Sequence, residues 1–469
     1  MRIVRGAVCA AAMLSSLAGC GRKTDGPVEG ISCYPEEAQR WISNEPEGAA
    51  GSNDPGGPYS VYVDGSASMA GYLRGATAGE RTLADLIGML PQLPGVSASG
   101  VELVRFDRRV SVVKPEDMRR LQTPDGYSCT SGRAVCDSQE SHVDQALARV
   151  AAAKGDALSV VVSDLWLTNS EVLTTGGVAL SRPLTDILSS GRGIAVYGFE
   201  SPYAGRVYDL PSGTQGASAA RRYLFVLAIG APTRLDAFHA AMLRAPSASI
   251  ARDLQSGAAR YSLFTTEPVG RAASGSQTFE PTGPGPLTKA AFLPVRQGVR
   301  IPQFKLDRAQ AMRLSEGTGS VAWKGVSETM MRPGAVWQGP SLGTTSIYRM
   351  VGSKCLPAAG DWRAEGRSGD GWSGGSYSLT PTTLAALPRG SYLLVGKLRR
   401  TGLQSPNDAT KWMRDWSFDA AGERAALARR TVPTLNLAET ARLMENALAQ
   451  AAERRPADIG GFAAAVQID

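Results

Sequence analysis

A β-branched and aromatic run at residues 60–64, Ser-Val-Tyr-Val-Asp, passes straight into Gly-Ser-Ala-Ser-Met at 65–69. Such a run, stopping at glycine and serine, reads as a buried strand that ends on a carboxylate. In extended or gently turning backbone, residues two apart point the same way, so Asp64, Ser66 and Ser68 can converge beyond the strand's carboxyl end. One carboxylate and two hydroxyls suit a small, hard cation. Whatever this chain folds into has to bring something else to that strand end to complete the oxygen cluster.

The following segments alternate in type. Thr82 to Leu93 carries Leu83, Leu86, Ile87, Leu90 and Leu93 at helical spacing. Val101 to Val113 reads as a hairpin about Asp-Arg-Arg, and Lys114 to Leu121 as a short helix. A helix over His142–Ala153 has Val143, Ala146, Leu147 and Val150 on one face. Ala157 to Leu167 is a strand broken by Ser163-Asp164, Pro183 to Leu188 is helical, and Gly193 to Phe199 is another buried strand. This order predicts an α/β fold, an open and mostly parallel sheet with helices on both faces. Arg221 to Gly230 and the helix Thr233–Leu243 add a βα unit, which short connections assign to the same sheet.

The Asp64-x-Ser66-x-Ser68-Met arrangement, with that order of elements over roughly residues 59–200, resembles the von Willebrand factor type A (vWA) domain and its metal-ion-dependent adhesion site. The resemblance implies that Ser141, in Ser-His-Val-Asp-Gln, takes the place of a threonine ligand, and that Asp164 takes that of an aspartate ending the fourth strand. It implies direct coordination by Ser66, Ser68 and Ser141, with Asp64 and Asp164 acting largely through water. Magnesium is the expected ion, and manganese also fits. The expected partner is a protein offering an acidic residue to the metal. Two departures stand out: Ser141 lacks the threonine methyl, and Leu165 follows Asp164 where glycine is common.

Arg2 and Arg5 precede an apolar run from Ala7 to Ala18, too short to span a bilayer and ending Leu17-Ala18-Gly19-Cys20. This resembles a bacterial lipoprotein signal peptide over 1–20, which implies lipidation of Cys20 and attachment to a membrane of the cell envelope. Gly21, where an aspartate would suggest inner-membrane retention, favours the outer membrane. Residues 21–58, polar and rich in Gly, Pro and Asn toward their end, read as a flexible tether.

In an oxidising compartment Cys129 and Cys136 form the natural disulfide, a bridge contributing about 2.5 kcal/mol on the loop-entropy model. The pairing of Cys33 and Cys355 stays open. Zinc is disfavoured because only His142 and His239 exist. A net charge of +7, scattered along the chain, suits an anionic membrane or acidic partner and gives no nucleic-acid signature.

Residues 59–270 are thus read as a vWA-like domain with an added βα unit. After a Gly/Ser/Pro-rich boundary, residues 280–469 read as an antiparallel β-rich domain of sandwich type, with six of the eight tryptophans. Its apolar runs are Ala290–Val295, Val299–Leu306, Ser320–Trp323 and Ser391–Leu398. Asn436 and Glu439 open a helix in capping-box fashion, expected to pack on that β-domain. Gly461 to Ile468 closes the chain as an edge strand.

Asp64 lacks the second acid of an aspartyl phosphatase, since Ser66 stands there. The expectation is a non-enzymatic envelope lipoprotein that binds a protein partner through the cation. A structural or assembly lipoprotein ranks second, and a metal-assisted hydrolase third.

Overall fold

The computed structural model describes residues 57–266 and 280–469 with interruptions, among them 94–99, 129–140, 154–156, 168–175 and 400–406, and before residue 57 only Pro35. Residues 1–20, expected as a signal peptide, Cys20, nearly all of the expected tether and the Cys129–Cys136 pair lie outside the described residues. Cys355 lies inside and is disulfide-bonded.

Seven strands form the main path of the first sheet: β1 (Tyr59–Asp64), β2 (Val101–Phe106), β3 (Val110–Val112), β4 (Leu158–Ser163), β5 (Gly193–Val207), β6 (Ala217–Gly230) and β7 (Arg260–Phe264). Their order is β3-β2-β1-β4-β6-β5-β7. β1 runs parallel to β2 and β4, whereas β3, β6 and β7 each run antiparallel to their neighbours on the path. The chain is therefore a mixed α/β protein with a parallel sheet centre.

Side-chain alternation explains the layers. Tyr59, Val61 and Val63 of β1 enter one core and Tyr62 the other. On the first face lie α1 (Ala70–Arg74), α2 (Thr82–Met89), α3 (Pro115–Arg120), α6 (Pro232–Leu243) and α7 (Ala248–Ser256), burying Leu83, Leu86, Ile87, Phe238, Met242 and Ile250. On the second lie α4 (Val143–Ala152) and α5 (Gly176–Ser189), burying Val143, Leu147, Val150, Leu184 and Ile187. Each fully buried leucine or isoleucine contributes about 2 kcal/mol.

The βα unit does not extend the sheet at its edge. β6 inserts between β4 and β5 because β5 is long and the chain turns straight back to pair with it along most of its length. Ser163, the last residue of β4, faces Phe225, so residues 217–224 of β6 continue past the end of β4. Together with residues 200–207 of β5 they make an arm at the sheet's carboxyl edge, joined on the other side of β6 by the short parallel strand Thr431–Val432.

The chain returns to this arm late. α8 (Lys411–Asp415), α9 (Glu423–Leu427) and α10 (Leu437–Arg454) follow the β-rich region. α10 packs on the first sheet's second face rather than on the β-domain: Leu437, Ala441, Met444, Leu448 and Ala451 share a core with Leu184, Phe225 and Leu227. Helical periodicity defines an apolar face but not the surface it meets. Trp412 and Trp416 cover the same face. Trp416 stacks on Tyr223 at 4.0 Å between ring centroids, and a Cβ on Gly198 would strike both indoles at 2.7 Å. The capping box does not form either. Asn436, at φ 58°, sends its amide to the Leu167 carbonyl, and Ser417 Oγ accepts from the Ala438 N–H.

The second sheet is largely antiparallel, and its described strands join in one hydrogen-bonded sheet, nine of them along a single path, rather than the two sheets of a sandwich. Strand Asp458–Ile468 is not an edge: it pairs antiparallel with Gly390–Arg399 and parallel with Val299–Leu306. Its unbroken run Phe462-Ala-Ala-Ala-Val466 is the pattern of a strand covered on both faces. Among the described residues no helix is long and apolar enough to cross a membrane.

Candidate metal centre

Asp64 ends β1 with its carboxylate fully buried. The Ser66 N–H donates to Asp64 Oδ1 at 2.8 Å, and the hydroxyls of Ser141 and Ser163 both donate to Oδ2 at 2.8 Å. Ser66 Oγ and Ser68 Oγ lie 3.1 Å apart. Three separated segments therefore meet at one carboxylate, and four of the five residues singled out from sequence come together here.

Local geometry accounts for the convergence. Ser66 stays extended (φ −67°, ψ 155°), and a single 3-10 turn over Ala67–Met69 then leads into α1, which aims Ser66 and Ser68 at the same spot. Gly65 is required, because a Cβ there would lie 2.4 Å from Arg105 Nε. That arginine braces the loop, donating to the Gly65 carbonyl at 3.2 Å while pairing with Asp107 at 2.7 Å. Ser141 is held because the adjoining His142 N–H bonds the Asp107 carbonyl at 3.1 Å.

The fifth residue, Asp164, sits in the next loop. It is buried; its Oδ1 accepts from the Trp166 N–H at 3.3 Å, and its Oδ2 lies 3.2 Å from Arg222 Nη2 without a hydrogen-bonding alignment. Arg222 comes from the arm and is itself buried, its guanidinium 4.5 Å from the Trp166 ring, 4.9 Å from Tyr203 and 5.8 Å from Tyr72. Leu165 adopts φ 46°, a left-handed conformation that costs a side-chain-bearing residue roughly 1 kcal/mol. This is the position where the vWA resemblance leads one to look for glycine.

Sequence reasoning missed Ser163, Arg222 and the aromatic rings. Ser163 had a signal, as the first of the Ser163-Asp164 pair that breaks an apolar strand. Arg222 had only its place in the Arg221-Arg222 pair, and nothing local distinguishes the buried member from the half-buried one.

Burial, and next the charge of Asp164, push the Asp64 carboxyl up to about 6, against the opposing pull of its bonds from Ser66 and Ser163. A buried carboxylate at pH 7 surrounded by neutral donors is under-compensated, which a cation would relieve. The Ser141 hydroxyl donates its hydrogen bond to Asp64, which leaves its lone pairs for a metal and makes it a better ligand. Ser66 is buried, but Ala67 is exposed and Ser68 and Ser141 are half-buried, so the cluster opens to solvent on one side. These residues fit a magnesium-type site with few charges and room for water. Among the described residues no three of His, Cys, Asp and Glu gather. A separate cavity of about 240 Å³, lined by Glu80, Glu200 and Arg221, contains none of the site residues. Comparison of the chain with protein-family models, curated proteins and solved structures finds no match, so its chemistry rests on this geometry.

Proposed function

We propose that residues 59–270 form a vWA-like domain on a lipid-anchored protein of the bacterial cell envelope, and that this domain grips an acidic side chain of a protein partner through magnesium or manganese. The bound cation would supply an electrophilic centre with room for one more oxygen ligand. Ser66, Ser68 and Ser141 would hold it without neutralising it, while Asp64 orients Ser141 and supplies charge from behind. Ser68 and Ser141, on the solvent side, face the approach of the partner. The observation that carries the reading is the meeting of hydroxyls from separate segments on the buried Asp64 carboxylate. Cys20 would tether the domain to the membrane.

Calorimetric titration of magnesium and manganese into the full chain in detergent, beside an Asp64→Ala, Ser66→Ala double variant, tests the site. Saturable binding in the parent alone is expected. Equal behaviour of the two proteins would remove the basis for the reading.

One observation favours a second reading, a structural or assembly lipoprotein whose site only stiffens its loops: Asp64 already accepts three hydrogen bonds and Asp164 is countered by Arg222. The two diverge under chelation. Partner binding requires that EDTA abolish association and leave the fold intact, whereas the scaffold reading requires association to survive.

A further inference from the structure

Resting on the cation-site reading, we propose that Arg222 makes cation binding conditional on the partner's carboxylate, so that metal and acidic ligand bind tightly only together. Among the described residues the cluster holds two carboxylates, Asp64 and Asp164, and one buried guanidinium close to Asp164. The nearby Arg105–Asp107 pair cancels itself. These described residues leave a single net negative charge to receive a divalent ion, and the filled site would then be positive in a medium where charge is poorly screened. A carboxylate from outside restores neutrality. Without Arg222 the two aspartates would balance the cation alone and the outside ligand would lose its electrostatic advantage.

Arg222 cannot swing aside to relieve this. Its backbone is paired on both sides, with Ser201 of β5 and with Val432. Its aromatic cage is itself anchored: the Tyr72 hydroxyl donates to the Tyr223 carbonyl at 2.6 Å, and the Tyr203 hydroxyl donates to the Arg206 carbonyl at 3.0 Å. Tyr203 packs so closely on α1 that a Cβ on Gly71 would fall 2.2 Å from its ring. The Arg222 guanidinium is thus a fixed part of the site.

The test is Mn²⁺ binding by the full chain in detergent, followed by the paramagnetic signal of free Mn²⁺, in excess acetate and in chloride of equal ionic strength. The parent is expected to bind about tenfold more tightly in acetate. Arg222→Gln should bind Mn²⁺ about tenfold more tightly than the parent in chloride, and gain less than about twofold from acetate. Arg222→Lys, which keeps the charge and loses the planar stacking, should retain the acetate dependence, a result that a purely structural role does not produce. An acetate dependence unchanged in Arg222→Gln overturns the proposal. So does a parent indifferent to acetate, a measurement that needs no variant to fold. A parent that binds no Mn²⁺ in either medium removes the cation site itself, and the proposal with it.

Discussion

The loop after β1 and the loop after β4 end neighbouring parallel strands, and each carries a buried aspartate that accepts a backbone N–H two residues on. Their surroundings differ. Asp64 is met only by neutral donors, and burial pushes its carboxyl up to about 6. Asp164 faces Arg222 at 3.2 Å. Two copies of one side chain, one residue apart in sheet register, thus hold different electrostatic positions: the first keeps a charge at a cost, the second has its compensation built into the protein. The first loop is where a cation would find unmet demand.

Exchanging each carboxylate for an amide should separate the two loops most sharply. Asp164→Asn leaves Arg222 a buried cation with no counter-charge, so stability should fall by about 3 kcal/mol in chemical denaturation. A loss under about 1 kcal/mol would mean that the aromatic rings alone suffice and that the contrast is overstated.

Asp64→Asn should have the opposite sign in the presence of chelator. The folded carboxyl is raised to about 6 from an ordinary 3.8, so the folded state binds more protons between those values. The group's contribution is therefore full below the ordinary value and is lost as pH rises through about 6, a cost on the order of 3 kcal/mol above it. The amide avoids that cost but bonds the serines less well, leaving a net gain of about 1–2 kcal/mol at pH 8 that vanishes near pH 4. A loss of stability at pH 8 would contradict the assignment of Asp64 as the strained member.

The same protonation opposes metal. Between about pH 7 and pH 5 magnesium affinity should weaken roughly tenfold, because a proton must leave Asp64 first. Titration calorimetry at both values checks this, and a flat profile would place the binding elsewhere. Smallest of all, Ser141→Thr should tighten binding about twofold by fixing the hydroxyl's rotamer; weaker binding would mean that the methyl has no room.

Much of the first loop was legible from sequence because its information is local. Asp64, Ser66 and Ser68 lie within five residues and share one backbone direction, and Ser141 and Asp164 each sit where a helix begins or a strand ends. The second loop's partner was not legible. Arg222 reaches Asp164 because β6 inserts beside β4 and overshoots it, a non-local pairing that leaves no trace in the periodicity of either segment. The same holds for α10. Its apolar stripe was plain, but the face it covers is decided by what α4 and α5 leave bare. Strand Asp458–Ile468 was mistaken for an edge although its alanine-rich core run, apolar at every position, argued for burial on both faces.

The central claim, that the hydroxyls gathered at Asp64 hold a divalent cation, is tested most directly by anomalous diffraction at the manganese absorption edge from crystals of the protein equilibrated with Mn²⁺ and acetate. The account predicts a peak among Ser66, Ser68 and Ser141, with Asp64 and Asp164 behind it. Well-ordered loops at full Mn²⁺ saturation with no peak at that position would contradict it.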